Sequence, residues 1–210
     1  MNEHFTECHQ RRLDLAFVVD GSDNIKHKVN FRRMLHFVKT LIASFDVRPR
    51  GVRVAVVVYS RRPHLLFNLG SYRRPRNMFR RIDRARYMGG SIKTGVALLF
   101  VRKKVFRVGS RPKVCVILTS GKSRDLVRGT KGPAKVLMGQ GVDIIAIGVT
   151  RTAKHSQLKE MASSRGLVFN THFKLLPGIA RIVKKAICNG RCYALLLITS
   201  FCLYITMLVF

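Results

Sequence analysis

An apolar run, Leu13 to Val19, ends on Asp20 and is followed at once by Gly21, Ser22, Asp23 and Asn24. Acid, hydroxyl and amide side chains gathered in one short loop look like the start of a site for a hard cation. A second chemistry lies further on. The stretch YRRPRNMFRRIDRARY, 72 to 87, holds seven arginines in 16 residues: Arg73, Arg74, Arg76, Arg80, Arg81, Arg84 and Arg86. On a helix Arg76, Arg80 and Arg84 fall at i, i+4 and i+8 and make one stripe, while Met78, Phe79 and Ile82 face the core. Guanidinium forks suit sulfate and phosphate oxygens, so these seven form the candidate anion site. Lys103, Lys104, Arg102 and the Lys184–Lys185 pair extend the positive field.

Other chemistries find little support. SGKS, 120 to 123, lacks the first glycine of a phosphate loop, because position 116 is Val116. The seven histidines fall in no triad or metal motif. The five cysteines (Cys8, Cys115, Cys188, Cys192 and Cys202) include no CxxC and no zinc spacing. Ten acids are too few and too scattered to supply paired carboxylates for acid–base work. The chain reads as a non-enzyme without a cofactor.

Those residues need a scaffold. Of the 210 residues, 47% are apolar, enough for a folded core. Leu13 to Val19, Val52 to Ser60, Lys113 to Thr119 and Val142 to Val149 read as buried strands. His64 to Leu69 reads as a short strand antiparallel to its predecessor, and Gly166 to Asn170 as a short last one. Helical patterns run over Lys28–Phe45, Arg76–Tyr87, Thr94–Phe106, Pro133–Gln140, His155–Ser164 and Leu175–Cys188. Strands alternating with helices predict an α/β fold with a mostly parallel sheet covered on both faces. Ligands of such sheets sit at the carboxyl ends of strands, which is where Asp20 to Asn24 falls. Cys115, inside a strand pattern, is expected to be a buried thiol.

Forty Lys and Arg face ten Asp and Glu, a formal charge of +30. Such a surface attracts sulfated glycosaminoglycan, nucleic acid or an anionic membrane, and charge by itself does not choose. No nucleic-acid motif is visible, and aromatic residues are sparse among the basic segments.

The order strand–DGS–helix, then RYMGGSIKTGVALLFV, then PKVCVILTSGKSRDLVRGTKGPAKVLMGQGVDIIAIGV, then QLKEMASS resembles a von Willebrand factor type A domain. The similarity is to the type found in collagen VI-like, matrilin-like and cochlin-like matrix proteins, and it runs over about 13–188. It implies a doubly wound sheet of five parallel strands and one antiparallel edge strand, with helices on both faces. It also implies a module that binds matrix proteins such as collagens, here joined by heparan-type polyanions. The family often carries a metal-ion-dependent adhesion site, in which a D-x-S-x-S loop, a Thr and a second Asp hold Mg²⁺. Here Asp20 and Ser22 match, Asn24 replaces the second Ser, Ile92 stands at the Thr and Ser120 at the distal Asp. The resemblance thus implies a degenerate site without tight Mg²⁺, and a loop whose polar side chains satisfy nearby amides.

The resemblance also implies that Cys8 pairs with Cys188, which requires an oxidising compartment. Residues 1–12 form an N-terminal stub without an apolar signal core, as expected of a fragment of a longer secreted matrix protein. Residues 189–210 form a hydrophobic tail. Its last 18 residues, Tyr193 to Phe210, carry no charge and would extend about 27 Å as a helix. An alternative is therefore an intracellular, tail-anchored scaffold with free thiols; a nonspecific nucleic-acid binder is a third. The basic residues before the tail favour a cytoplasmic domain in the tail-anchored case.

Overall fold

The computed structural model describes residues 12–106, 109, 111–124 and 129–189. Six strands form one sheet: β1 (Leu13–Asp20), β2 (Val52–Tyr59), β3 (Pro63–Phe67), β4 (Lys113–Thr119), β5 (Val142–Gly148) and β6 (Val168–Asn170). Their spatial order is β3-β2-β1-β4-β5-β6. All neighbours run parallel except the edge pair β2–β3. The α/β expectation, with five parallel strands and one antiparallel edge strand, holds. Every residue of β1 and of β4 is buried, as parallel strands covered on both faces require.

The helices are α1 (Lys28–Ala43), α2 (Pro75–Asp83), α3 (Thr94–Lys104), α4 (Lys131–Gly139), α5 (His155–Met161) and α6 (Leu176–Asn189). Helix α1 packs beside α2 and α6, whereas α4 packs between α3 and α5. Phe31, Met34, Leu35, Val38, Leu41 and Ile42 recur at helical spacing on the buried face of α1. Pro75 opens α2, where its missing N–H costs nothing.

Several element ends differ from the periodicity. Helix α2 stops at Asp83 rather than Tyr87. The chain leaves the helix so that the Tyr87 hydroxyl reaches the Ser22 carbonyl (3.1 Å) and the Met88 and Gly89 amides reach the Gly21 carbonyl (3.2 and 2.9 Å). Helix α5 stops at Met161, because the Ser163 amide and hydroxyl bond to the backbone of Ile144 on β5. Strand β6 loses two predicted residues to a 3-10 turn over Arg165–Leu167. Periodicity cannot register such side-chain and loop contacts.

One charge cluster ties the lower end of the sheet. Asp14 on β1, 5% exposed, accepts from Arg53 Nε (2.7 Å) and Nη2 (2.6 Å) on the paired strand β2. Arg111 Nε adds a third contact at 3.0 Å, and the same guanidinium donates to the Gly51 carbonyl. Breaking a fully buried pair costs roughly 3–5 kcal/mol. The Arg53 side chain is 36% exposed, so its loss of a partner is partly met by water. Asp14→Ala is expected to lower the unfolding free energy by about 2–3 kcal/mol, read from urea denaturation; an unchanged midpoint would show that the cluster is only a surface network.

Candidate functional site

The sheet reverses its order at β1: β2 lies on one side and β4, reached after α3, on the other. The carboxyl ends of β1 and β4 therefore open a crevice at the switch point. Asp20 ends β1, and Ser120 follows β4 directly.

Asp20 is fully buried. Its Oδ1 accepts the Ser22 amide at 2.8 Å; its Oδ2 accepts the Ser120 amide at 2.9 Å and the Ser120 hydroxyl at 2.7 Å. Burial raises its pKa above the ordinary carboxylate range, and the Ser120 hydrogen bonds oppose that rise. Both oxygens are thus already engaged with neighbouring loops. Ser22 is buried too, and its Oγ is without a hydrogen-bond partner. Half-buried Asn24 turns its amide against Gly121, where a Cβ would lie only 2.4 Å from Nδ2, so a larger residue would push that side chain aside. Ile92, 1% exposed, brings its Cδ1 within 3.4 Å of the same point. The expected turn over Asp20 to Ile25 is present, with a 3-10 turn at Asp23–Ile25. Asp23 is exposed, and its Oδ1 lies against Gly89.

The Gly89–Gly90 turn, with φ of 66° and 80°, docks on this loop. The Asp23 amide donates to the Gly90 carbonyl at 2.9 Å. Beside it, Thr94 at the start of α3 is buried, and its hydroxyl meets the Tyr59 hydroxyl at 3.2 Å. Burial holds Tyr59 protonated far above its usual range, and Asp20 adds to the effect. The Ser123 hydroxyl accepts the Thr94 amide, and the Arg124 amide donates to the Ile92 carbonyl at 2.8 Å. Among the described residues, no three His, Cys, Asp or Glu side chains gather to hold a metal.

The seven arginines divide. Arg73 and Arg74 precede α2, and Arg76 and Arg80 lie exposed along it. Arg81 is half-buried and donates to the Leu66 carbonyl at 3.1 Å, so it serves packing. Arg84 and Arg86, beyond the helix end, border a cleft of about 370 Å³ with Lys28 and Arg32 of α1. Sequence reasoning missed those last two. The signal was available in the exposed positions 28, 32 and 36 of α1, which share one helical stripe. Lys103, Lys104 and Lys185 are exposed, whereas Arg102 and Lys184 are half-buried.

Cys115 is a free, fully buried thiol, with its pKa pushed up to about 12 by burial. Cys188, near the end of α6, is disulfide-bonded, and its partner lies outside the described residues, as do Cys8, the stub before Arg12 and the tail over 193–210. No helix among the described residues is long and apolar enough to cross a membrane.

The model of the von Willebrand factor type A domain matches residues 14–181. The chain belongs to that family. The von Willebrand factor A domain-containing protein 2 of Xenopus laevis is 31% identical over 187 residues, 87% of this chain and 23% of that protein. Matrilin-2 of Mus musculus is 30% identical over 194 residues, 87% of this chain and 20% of that protein. The collagen alpha-1(XXI) chain of Homo sapiens is 30% identical over 189 residues, 88% and 19% of the two. Among solved structures, proximal thread matrix protein 1 from the mussel byssus, with a zinc-occupied MIDAS motif, gives a TM-score of 0.81 at 31% identity. That match covers 86% of this chain and 46% of the other. The chain thus spans about a fifth of the length of these curated relatives.

Proposed function

We propose that this domain is a non-enzymatic adhesion module of a matrix protein, capturing matrix partners and polyanions through its basic surface rather than through a bound metal. Kinship with collagen chains, a matrilin and a byssal matrix protein supports the adhesive role. The observation that carries the mechanism is the state of Asp20. The donor set does not fit a hard divalent cation. One carboxylate is present where the family pattern has two, and its oxygens are taken by Ser22 and Ser120. The Ile92 side chain offers no oxygen. The orphaned Ser22 Oγ is one remaining donor, too little to replace a hydration shell. Partner carboxylates or sulfates would then be drawn by the field of a +30 chain, with rim contacts selecting among them.

Cys188 is disulfide-bonded, and Cys8 is the partner we assign to it, which favours an oxidising compartment. The apolar 193–210 segment favours the second reading, an intracellular tail-anchored scaffold.

Three measurements test these readings. Replacing Arg76, Arg80 and Arg84 with Glu is expected to lower markedly the salt at which the protein leaves a heparin column; unchanged elution would sink the basic-surface mechanism. Calorimetric titration with Mg²⁺ is expected to show no tight site, and a 1:1 isotherm abolished by Asp20→Ala would refute the metal-free reading. Peptide mapping without reductant is expected to return the Cys8 and Cys188 peptides joined. Both thiols free in protein from its own cells would favour the tail-anchored scaffold.

A further inference from the structure

Two clefts lie along α1, and neither is bordered by an acid. The first sets Lys28, Arg32, Arg84 and Arg86 around a floor of Phe31, Ala85 and Tyr87. The second, about 470 Å³, sets Arg32, Arg33, His36 and Lys174 around Val29, Phe173 and Pro177. Arg32 borders both. Its Nη1 donates to the Asp83 carbonyl at 2.6 Å, which steadies it between them. The nearby Asp83 carboxylate is occupied by Lys39 at 2.6 Å and does not neutralise the track.

Building on the polyanion reading above, we infer that this two-cleft track on α1 is the binding site for a linear sulfated polysaccharide. The cations are strung out, not focused. From Lys28 to His36 the helix rises eight steps, about 12 Å, with further cations on either flank. A single small anion would satisfy one cleft and leave the other empty. An occupant with anions repeated along its length meets both. Guanidinium forks from Arg32, Arg84 and Arg86 match the oxygens of sulfate groups. The floors offer apolar surface for sugar rings but poor platforms for nucleobases: Phe31 is 1% exposed and Tyr87 is half-buried. The stripe on α2 that sequence singles out contributes only Arg84 to this track.

The test is calorimetric titration of the full chain with a heparin-derived octasaccharide over a range of salt. Three exposed track residues are changed in one variant, Lys28→Gln with Arg32→Gln and Arg86→Gln. A control removes equal charge on α4 and α5, Lys131→Gln with Lys135→Gln and Lys159→Gln. The track variant is expected to bind about tenfold more weakly or worse, with a salt slope reduced by about two to three, and the control to change by less than about threefold. Arg32→Lys with Arg86→Lys keeps the charge but loses the forks, and an intermediate loss is expected. Equal losses in the two triple variants would overturn the track while leaving a diffuse basic surface intact. No binding by the unaltered chain would overturn both. Tighter binding of a single-stranded DNA of matched charge would replace the polysaccharide with nucleic acid.

Discussion

Strand β1 is dry along its whole length, and the rest of the molecule answers to that constraint. It lies between β2 and β4 with helices over both faces, so no water reaches its side chains. Apolar residues meet this easily. The two carboxylates at its ends, Asp14 and Asp20, do not, because a buried charge must find partners within the protein. Asp14 finds guanidinium groups from beneath β2 and β4. Asp20 finds amides and a hydroxyl from its own loop and from the loop after β4. One end is closed by charge pairing and the other by hydrogen bonds alone.

The second solution shapes the upper rim. With Asp20 holding Ser120, the loops after β1 and β4 become one structure, and the Gly89–Gly90 turn completes it through backbone bonds to Gly21 and Asp23. Thr150 and Thr152 add hydroxyl donors to the Ser120 carbonyl from the loop after β5. The crevice at the carboxyl ends of β1 and β4 is wired together by protein groups. Over the whole sequence Lys and Arg outnumber the acids fourfold. Tyr87 joins the two regions, since it lines the first cleft on α1 and bonds to the Ser22 carbonyl.

Much of this was open to a reader of the sequence. The β-branched runs and their alternation with helical stripes dictate a parallel sheet, because such runs exclude water from both faces. The antiparallel edge strand follows from the short turn at Arg61–Arg62, too tight for a crossover. The polar loop after β1 was legible from its residue types, Asp20 to Asn24. The arginine run was legible only as composition. Helix α2 ends at Asp83, so Arg84 leaves its stripe, and Arg81 turns inward to a carbonyl.

The sequence by itself determined the sheet, the core faces of the helices and the identity of the loop at Asp20, since each rests on local periodicity or on residue type. Only the tertiary structure decided which cations lie together. Lys28 and Arg32 are more than fifty residues from Arg84 and Arg86 in the chain, yet they border one cleft because α1 and the segment after α2 pack side by side. It also decided that Asp20 is satisfied by Ser120, 100 residues away, because hydrogen bonds across a crevice depend on distances that no spacing along the chain records.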